Sequence, residues 1–357
     1  MLCTVYFCLV QRLSQSLLMN VKFKGVIVSF TLLLGTLGGA PTANAALGAV
    51  EDYSNERILP LFLHSGGVVP EGSGFLYSPR IVFTVAHGGE WPDMYVGKPN
   101  TSADEGTRVR VIKRFKAPEH DDNVKPIIWD FSILILASDL APVAPAELLT
   151  PEIHTELLAA NASVKLHGYG AFEDRCNVGQ PPPCGGFNYL VSKVPRMANF
   201  KLYTREQISA LTGIQAMPVF DSQLLLFGDG PKVSGCPGDS GGSLTTLYKG
   251  RTIYLGPALN GDGTYSCGHA PWDRPAGGIN FSSPVYRHLA LIKEAEAFLA
   301  EQIKVEERAA ADKAAAEKAS ADKAAAPKKT TITCAKGKLI KKKTAIKPVC
   351  PKGYTKR

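Results

Sequence analysis

The start of the sequence lacks acidic side chains, since residues 1–45 contain no Asp or Glu. Within them, the apolar stretch Gly25–Ala40 (GVIVSFTLLLGTLGGA) follows Lys22 and Lys24 and leads to Ala43-Asn44-Ala45. This stretch is too short, and too interrupted by glycine, to predict a permanent membrane span. A basic start, a short apolar segment and a small-residue cleavage site are typical of a secretory signal peptide. We therefore expect residues 1–45 to be removed on export, and no transmembrane segment in the mature chain.

A second apolar run precedes this one and carries Cys3 and Cys8. Translation that begins at Met19 would give a signal peptide of ordinary length. N-terminal sequencing of the precursor checks this start site, and a peptide containing Cys3 contradicts it.

Acidic residues are also scarce at the other end. Residues 46–300 hold 21 Lys/Arg and 26 Asp/Glu, whereas residues 301–357 hold 16 and 6. The net charge of +8 therefore comes from the tail, and it does not indicate that the folded body binds nucleic acid.

The sequence has no Cys-x-x-Cys spacing, which disfavours a metal site, and we expect neither a metal nor any other cofactor. Beyond Cys3 and Cys8 there are six cysteines, which allow fifteen pairings. In an exported chain, disulfides are the favoured role for them.

Long helical patterns are rare before the tail. Most of the chain from Arg57 to Val285 consists of short apolar runs separated by Gly, Pro, Asn and Asp, which predicts an all-β sandwich or barrel. Helical periodicity is confined to Thr204–Leu211 and Val285–Ile303.

Three segments follow the signal peptide in this interpretation. Residues 46–300 form the main domain. Residues 301–329 are rich in Ala, Lys and Glu and have no apolar face, which predicts a charged helical spacer. Residues 330–357 form a small basic tail, for which a hairpin closed by cysteines is expected.

Three motifs in the main domain carry chemistry. Gly238-Asp239-Ser240-Gly241-Gly242 places a serine hydroxyl among glycines that leave backbone N–H groups exposed. Serine is a poor nucleophile unless a base accepts its proton, and a buried carboxylate can hold that base in one tautomer. The segments Thr84–Gly88 and Trp129–Leu136 offer His87 as the base and Asp130 as the acid, with Asp121 and Asp122 as weaker rivals for the latter role.

On the His87, Asp130 and Ser240 motifs, in that order, the chain resembles the trypsin-like (chymotrypsin-family) serine endopeptidases of secreted, bacterial type from about Ala46 to Leu299. The resemblance implies two packed six-stranded antiparallel β-barrels with a C-terminal helix, and a cleft between the barrels. It also implies that Ser240 attacks the peptide bond, that His87 acts as base and then acid, and that Asp130 orients His87. The backbone N–H groups of Gly238 and Ser240 would form the oxyanion hole.

The resemblance also implies further residues around the cleft. Ser234 would form the floor of the specificity pocket and Gly261 and Gly278 its walls, which favours a large apolar or aromatic substrate side chain. Leu259 stands where a serine usually supports the orienting aspartate. With the spacing of the cysteines, the family predicts the disulfides Cys176–Cys184, Cys236–Cys267 and Cys334–Cys350.

An activation step follows from the same family. Cleavage after Ala45 would expose the α-amino group of Ala46, which would pair with a buried Asp239 and order the oxyanion loop. Signal peptidase itself would then produce the active enzyme.

The sequence thus predicts a secreted or surface-associated enzyme that hydrolyses proteins or peptides through an acyl-enzyme. The alternative is a weak or inactive binding module on the same fold. The basic tail is interpreted as an anchor on anionic cell-wall polymers or as a merely solvated end. Nucleic acid is the less favoured partner, because no row of aromatic side chains is interleaved with the lysines to stack bases.

Overall fold

Short strands dominate the molecule, as the sequence predicts. The computed structural model describes residues 49–87, 93–121, 123, 129–174, 189–213, 223–230, 233–259 and 278–357. In chain order, the strands within these ranges are β1 (Val50–Glu51), β2 (Ile58–Phe62), β3 (Gly72–Ser78), β4 (Ile81–Thr84), β5 (Tyr95–Val96), β6 (Val109–Lys116), β7 (Ser132–Leu136), β8 (Ser163–Gly168), β9 (Ala171–Asp174), β10 (Tyr189–Val191), β11 (Arg196–Tyr203), β12 (Leu224–Gly228), β13 (Ser243–Tyr248), β14 (Arg251–Pro257), β15 (Ile279–Ser282), β16 (Thr330–Lys336), β17 (Leu339–Ala345) and β18 (Thr355–Lys356). The helices are α1 (Pro151–Ala159), α2 (Arg205–Thr212) and α3 (Leu289–Ala325), the last preceded by a 3-10 turn at Val285–His288.

The first six-stranded barrel is confirmed. Its strands close in the antiparallel order β2-β3-β4-β7-β6-β5. Alternate residues of a strand face opposite sides of a sheet. Accordingly, Leu76 and Val82 join an apolar cluster inside the barrel, whereas Phe75 and Phe83 join the larger core that also contains residues of the second sheet. Both faces of these strands are therefore buried, and the barrel packs firmly against the second half.

The second barrel is only partly as predicted. Its six strands pair in the order β14-β13-β8-β11-β12-β15, and β1 pairs with β11, but the described residues contain no ladder between β14 and β15. β14 ends at Pro257, which has no N–H to extend a ladder. Residues 260–277, which connect the two edge strands, lie outside the described residues. The described part of this half is therefore a half-barrel sheet.

Helix α1 is absent from the sequence prediction. It begins in the connection between the two halves, where the Thr150 hydroxyl accepts a hydrogen bond from the Ile153 N–H and Pro151 occupies the first turn. A Thr-Pro pair is a recognised start signal, but the helix has only nine residues and a single fully buried one, Leu157, so its apolar pattern is too short to be distinctive in the sequence. Helix α2 lies where the sequence predicts a helix, and Thr204 and Gln207 form its capping box.

The C-terminal helix is longer than predicted. The sequence suggests a helix to Ile303 and a separate spacer, but α3 continues without a break to Ala325. Leu291, Ile292 and Ala295 are buried against the body. Beyond Val305 its side chains are exposed, and at 1.5 Å per residue the whole helix is about 55 Å long.

One buried arginine connects the first barrel to α3. Arg80 donates from Nε to the carbonyl of Leu136 and from a terminal nitrogen to that of Ala137, at 3.0 and 3.1 Å. Its guanidinium also forms a bidentate salt bridge with the Glu306 carboxylate, with N···O distances of 2.8 and 2.9 Å.

Arg80→Ala is expected to lower the free energy of unfolding by about 2 kcal/mol, because the buried Leu136 carbonyl and the partly exposed Ala137 carbonyl lose their donor. Glu306→Gln is expected to cost less than about 1 kcal/mol, since the Glu306 side chain is 52 % exposed and its charge is screened. Urea denaturation measures both changes, with Glu301→Gln on the exposed face as a control. Equal losses of unfolding free energy for Arg80→Ala and Glu306→Gln would show that the ion pair, and not the bonds from Arg80 to the two carbonyls, supplies the stabilisation.

The basic tail forms a small three-stranded sheet. β16 and β17 form the expected hairpin, β18 pairs with the other edge of β16, and a disulfide joins Cys334 to Cys350. Cys334 pairs with Lys341 on one side and with Lys356 on the other, so both lysines share the face that carries the disulfide. Among the helices of the described residues, none is long and apolar enough to cross a membrane.

Candidate active site

His87 and Asp130 come together because their strands are neighbours. His87 follows β4 and Asp130 precedes β7, and these strands pair with Thr84 opposite Ser132. The Asp130 Oδ2 lies 2.5 Å from His87 Nδ1, and its Oδ1 accepts the backbone N–H groups of Ala86 and His87 at 2.6 and 2.8 Å. The Asp130 side chain is fully buried, whereas that of His87 is 28 % exposed. The second ring nitrogen of His87, Nε2, therefore points away from Asp130.

Polar groups from β6 and β7 hold the histidine segment in place. Arg114 donates to the carbonyls of Val85 and Ala86 at 3.1 and 2.9 Å, and the Ser132 hydroxyl donates to the Val85 carbonyl at 2.6 Å. Sequence reasoning does not find Arg114, because no local pattern shows that β6 passes beneath residues 85 and 86. A Ser at position 132 inside an apolar strand is the available signal for the second group.

Two further histidines lie near Asp130. The buried side chain of His120 places its Nδ1 3.7 Å from Asp130 Oδ1. His288 stacks on Phe131 with ring centroids 4.4 Å apart. Burial of its ring, and to a lesser extent the positive charge of Arg287, lower the pKa of His288 to about 4. Because His288 is therefore neutral at pH 7, it does not compete with His87 as a charged partner of the carboxylate.

The loop that carries Ser240 is tied to both halves of the molecule. The Ser240 carbonyl accepts the N–H of Ser73 at 3.0 Å, and the Ser73 hydroxyl donates to the Gly238 carbonyl at 2.8 Å. On the other side, the Gly241 N–H donates to the Ala258 carbonyl at 2.9 Å. Gly241 adopts a φ of 83°, and a Cβ there would lie 2.1 Å from the Thr84 hydroxyl, so only glycine fits.

The amides of Gly238 and Ser240 are available for a ligand. Within the described residues, neither N–H donates a hydrogen bond to a protein acceptor. Gly238 has a φ of 92°, a conformation that favours glycine. The loop therefore presents two backbone donors beside a serine hydroxyl, which is the arrangement needed to stabilise an oxyanion.

His87 and Ser240 line one cavity of about 170 Å³. The side chains of these two described residues form no direct hydrogen bond with each other. Bonds between a base and its nucleophile are often long in the absence of substrate. The structure thus bonds His87 to Asp130 and places His87 and Ser240 on the same cavity.

Asp239 is buried beneath the loop that carries Ser240. Its Oδ2 accepts the N–H of Cys236 at 2.8 Å and its Oδ1 that of Gly170 at 3.0 Å. Burial raises the pKa of Asp239 to about 7, although these two hydrogen bonds act in the opposite direction. Its predicted partner, Ala46, lies outside the described residues.

Gly170 is packed too tightly to carry a side chain, since a Cβ there would lie 2.3 Å from the carboxyl of Asp239. Gly170→Ala is expected to displace the loop that carries Ser240 and to destabilise the protein by roughly 2–3 kcal/mol through overpacking. Thermal melting measures this loss, with Gly66→Ala as the control, because a Cβ at Gly66 meets nothing closer than 3.7 Å. Equal melting temperatures for the two variants would contradict the expectation.

The predicted specificity pocket is described in part. Ser234 is buried. The Gly278 N–H donates a hydrogen bond of 2.7 Å to the carbonyl of Val233, the residue before Ser234, so Ser234 and Gly278 lie on adjacent segments. Gly261 lies outside the described residues. Leu259 is buried in an apolar cluster with Phe227 and other side chains of the second sheet.

The other predicted disulfides are described less fully. Cys236 is buried and disulfide-bonded, but Cys267 lies outside the described residues. Cys176 and Cys184 lie outside them as well.

Comparison with known proteins agrees with this geometry. Residues 60–256, more than half of the chain, match the family model described as Trypsin. The matched segment contains His87, Asp130 and Ser240. No curated protein matches the chain significantly.

Proposed function

Because the chain belongs to the trypsin family, we propose that it is a secreted serine endopeptidase that hydrolyses peptide bonds through an acyl-enzyme. The observation that carries the proposal is the bonding of Asp130. A fully buried carboxylate, with one oxygen on His87 Nδ1 and the other on two backbone N–H groups, fixes the imidazole in the tautomer that leaves Nε2 free as a base.

The proposed reaction uses these groups in turn. Substrate entering the cleft brings its carbonyl to Ser240, and His87 Nε2 accepts the hydroxyl proton as the oxygen attacks. The amides of Gly238 and Ser240 donate to the resulting oxyanion, each contributing roughly 3 kcal/mol to the stabilisation of the transition state. His87 then gives its proton to the leaving amine, and water repeats the sequence to release the acyl group from Ser240. None of these steps calls for a metal or other cofactor.

A fluorophosphonate probe, which reacts with activated serines, tests the proposal. We expect labelling of the wild-type protein, none of Ser240→Ala, and cleavage of peptide substrates by the wild-type protein. A folded wild-type protein that resists labelling would support the alternative, a catalytically inactive binding module on the same fold. Labelling with ester cleavage alone would indicate an esterase.

We also propose that residues 1–45 direct export and that the tail anchors the enzyme at the cell surface. Residues 330–357 carry nine Lys/Arg and no Asp or Glu, on a sheet stapled by the Cys334–Cys350 disulfide. Such a sheet attracts polyanions such as anionic cell-wall polymers in a salt-dependent manner. We expect deletion of residues 301–357 to move the protein from the cell-bound fraction to the medium, and an unchanged distribution would contradict the anchoring role.

A further inference from the structure

The cavity beside Ser240 is lined largely by apolar side chains of the first barrel. Apart from Ser240, the described residues that line its volume of about 170 Å³ come from the first barrel and its loops. Leu61 and Met94 are buried, and Leu63 is half-buried. These side chains give the cavity an apolar lining next to His87.

The position of this cavity indicates which side of the scissile bond would contact it, the acyl side or the leaving-amine side. Ser234 and Gly278, the predicted pocket for the acyl side, lie in the second half of the molecule. A peptide that crosses the cleft places the two sides of its scissile bond on opposite sides of the attacking oxygen. The leaving amine must lie close to His87, because His87 protonates it.

From this placement we infer that the cavity receives the side chain of the residue that follows the cleaved bond, and that Glu71 sets its charge preference. The inference depends on the proposed endopeptidase function. The apolar lining of Leu61, Leu63 and Met94 favours a side chain such as Leu or Met over Gly.

Glu71 supplies the negative charge at this cavity. Its exposed side chain accepts the Leu63 N–H at Oε2, 3.2 Å away, which holds the carboxylate in place. Arg114 also lines the cavity, but its guanidinium is less exposed and is bonded to the carbonyls of Val85 and Ala86. A Lys in the substrate can lay its alkyl chain on the apolar wall and bring its ammonium group to Glu71, whereas a Glu is repelled.

Four peptides that differ only in the residue after the cleaved bond (Leu, Gly, Lys or Glu) test the inference with the full mature chain. We expect kcat/KM to be at least about tenfold higher for Leu than for Gly, and several-fold higher for Lys than for Glu. Mass spectrometry of the products verifies the cleavage position. Glu71→Gln should abolish the preference for Lys over Glu and keep that for Leu over Gly. Glu105→Gln, another exposed carboxylate, controls for overall charge and should keep both preferences.

The possible failures are distinguishable. Cleavage with equal kcat/KM for all four peptides would overturn the inference while leaving the endopeptidase intact. A Lys preference that survives Glu71→Gln would overturn the role of Glu71. No cleavage and no fluorophosphonate labelling would overturn the proposed function itself, and this inference with it.

Discussion

Asp130→Asn is expected to lower kcat about 10⁴-fold with little change in stability. The amide oxygen of Asn can still accept the N–H groups of Ala86 and His87, which preserves the local fold. Its NH₂ group, however, would face His87 Nδ1 as a donor. The imidazole would then carry its proton on Nε2, the nitrogen that must accept the proton of Ser240. Steady-state kinetics measures the loss, and thermal melting verifies that the variant remains folded.

A matched control is available nine residues earlier in sequence. Asp121, a rival for the orienting role, is exposed, and its carboxylate accepts the backbone and side-chain amides of Asn123. Asp121→Asn should therefore leave kcat nearly unchanged. A comparable loss in Asp121→Asn, or full activity in Asp130→Asn, would contradict the assignment of the acid.

The candidate triad is predictable from the sequence because its chemistry is written in short motifs. His87 follows an apolar strand and Asp130 precedes one. Ser240 lies between glycines, because the loop needs positive φ angles on both sides of it, at Gly238 and Gly241. The first barrel is predictable for a similar reason, since its strands are short apolar runs separated by turn residues. For the barrel the local pattern and the final structure agree, and the His87–Asp130 contact is the one that the motifs predict, while the catalytic role of these residues stays a prediction.

The supporting groups are not predictable, because they depend on contacts between distant segments. Ser73 and the Ser240 loop are separated by more than 160 residues, yet Ser73 bonds both the Gly238 and the Ser240 carbonyls. His120 approaches Asp130 only because a loop after β6 returns to β7. Only the continuity of α3 is missed, and for another reason. The apolar stripe ends near Ile303, so the sequence predicts a helix to Ile303 and a separate charged helical spacer, whereas the alanine-rich second half extends the same helix without needing a partner.

The protonation state of the buried Asp239 carboxyl bears on the proposed activation step. Its pKa of about 7 lies above the ordinary value of 3.8, so the folded protein binds a proton more tightly there than the unfolded chain does. Without a cationic partner, the stability contributed by this group is fully present below about pH 4 and is lost as pH rises to about 7. The loss is on the order of 4 kcal/mol at neutral pH, from a shift of about three units. A positive charge placed beside Asp239 would remove this penalty.

The α-amino group of Ala46 is the cation that we propose for this place, so acetylation of the mature amino terminus is expected to reduce kcat/KM at least about 10²-fold. Without the ammonium group, Asp239 loses its partner, and the loop shifts the Gly238 amide out of line for the oxyanion, a loss comparable to removing one donor. Loss of the ammonium proton would break the proposed pair, so the unmodified enzyme should lose activity as pH rises into the range where an α-amino group is deprotonated. Mass spectrometry verifies that acetylation is confined to the α-amine, and a sample acetylated only on lysines serves as the control. Unchanged turnover after α-acetylation would show that Asp239 is held by its two backbone donors alone, and that removal of the signal peptide is not the activating step.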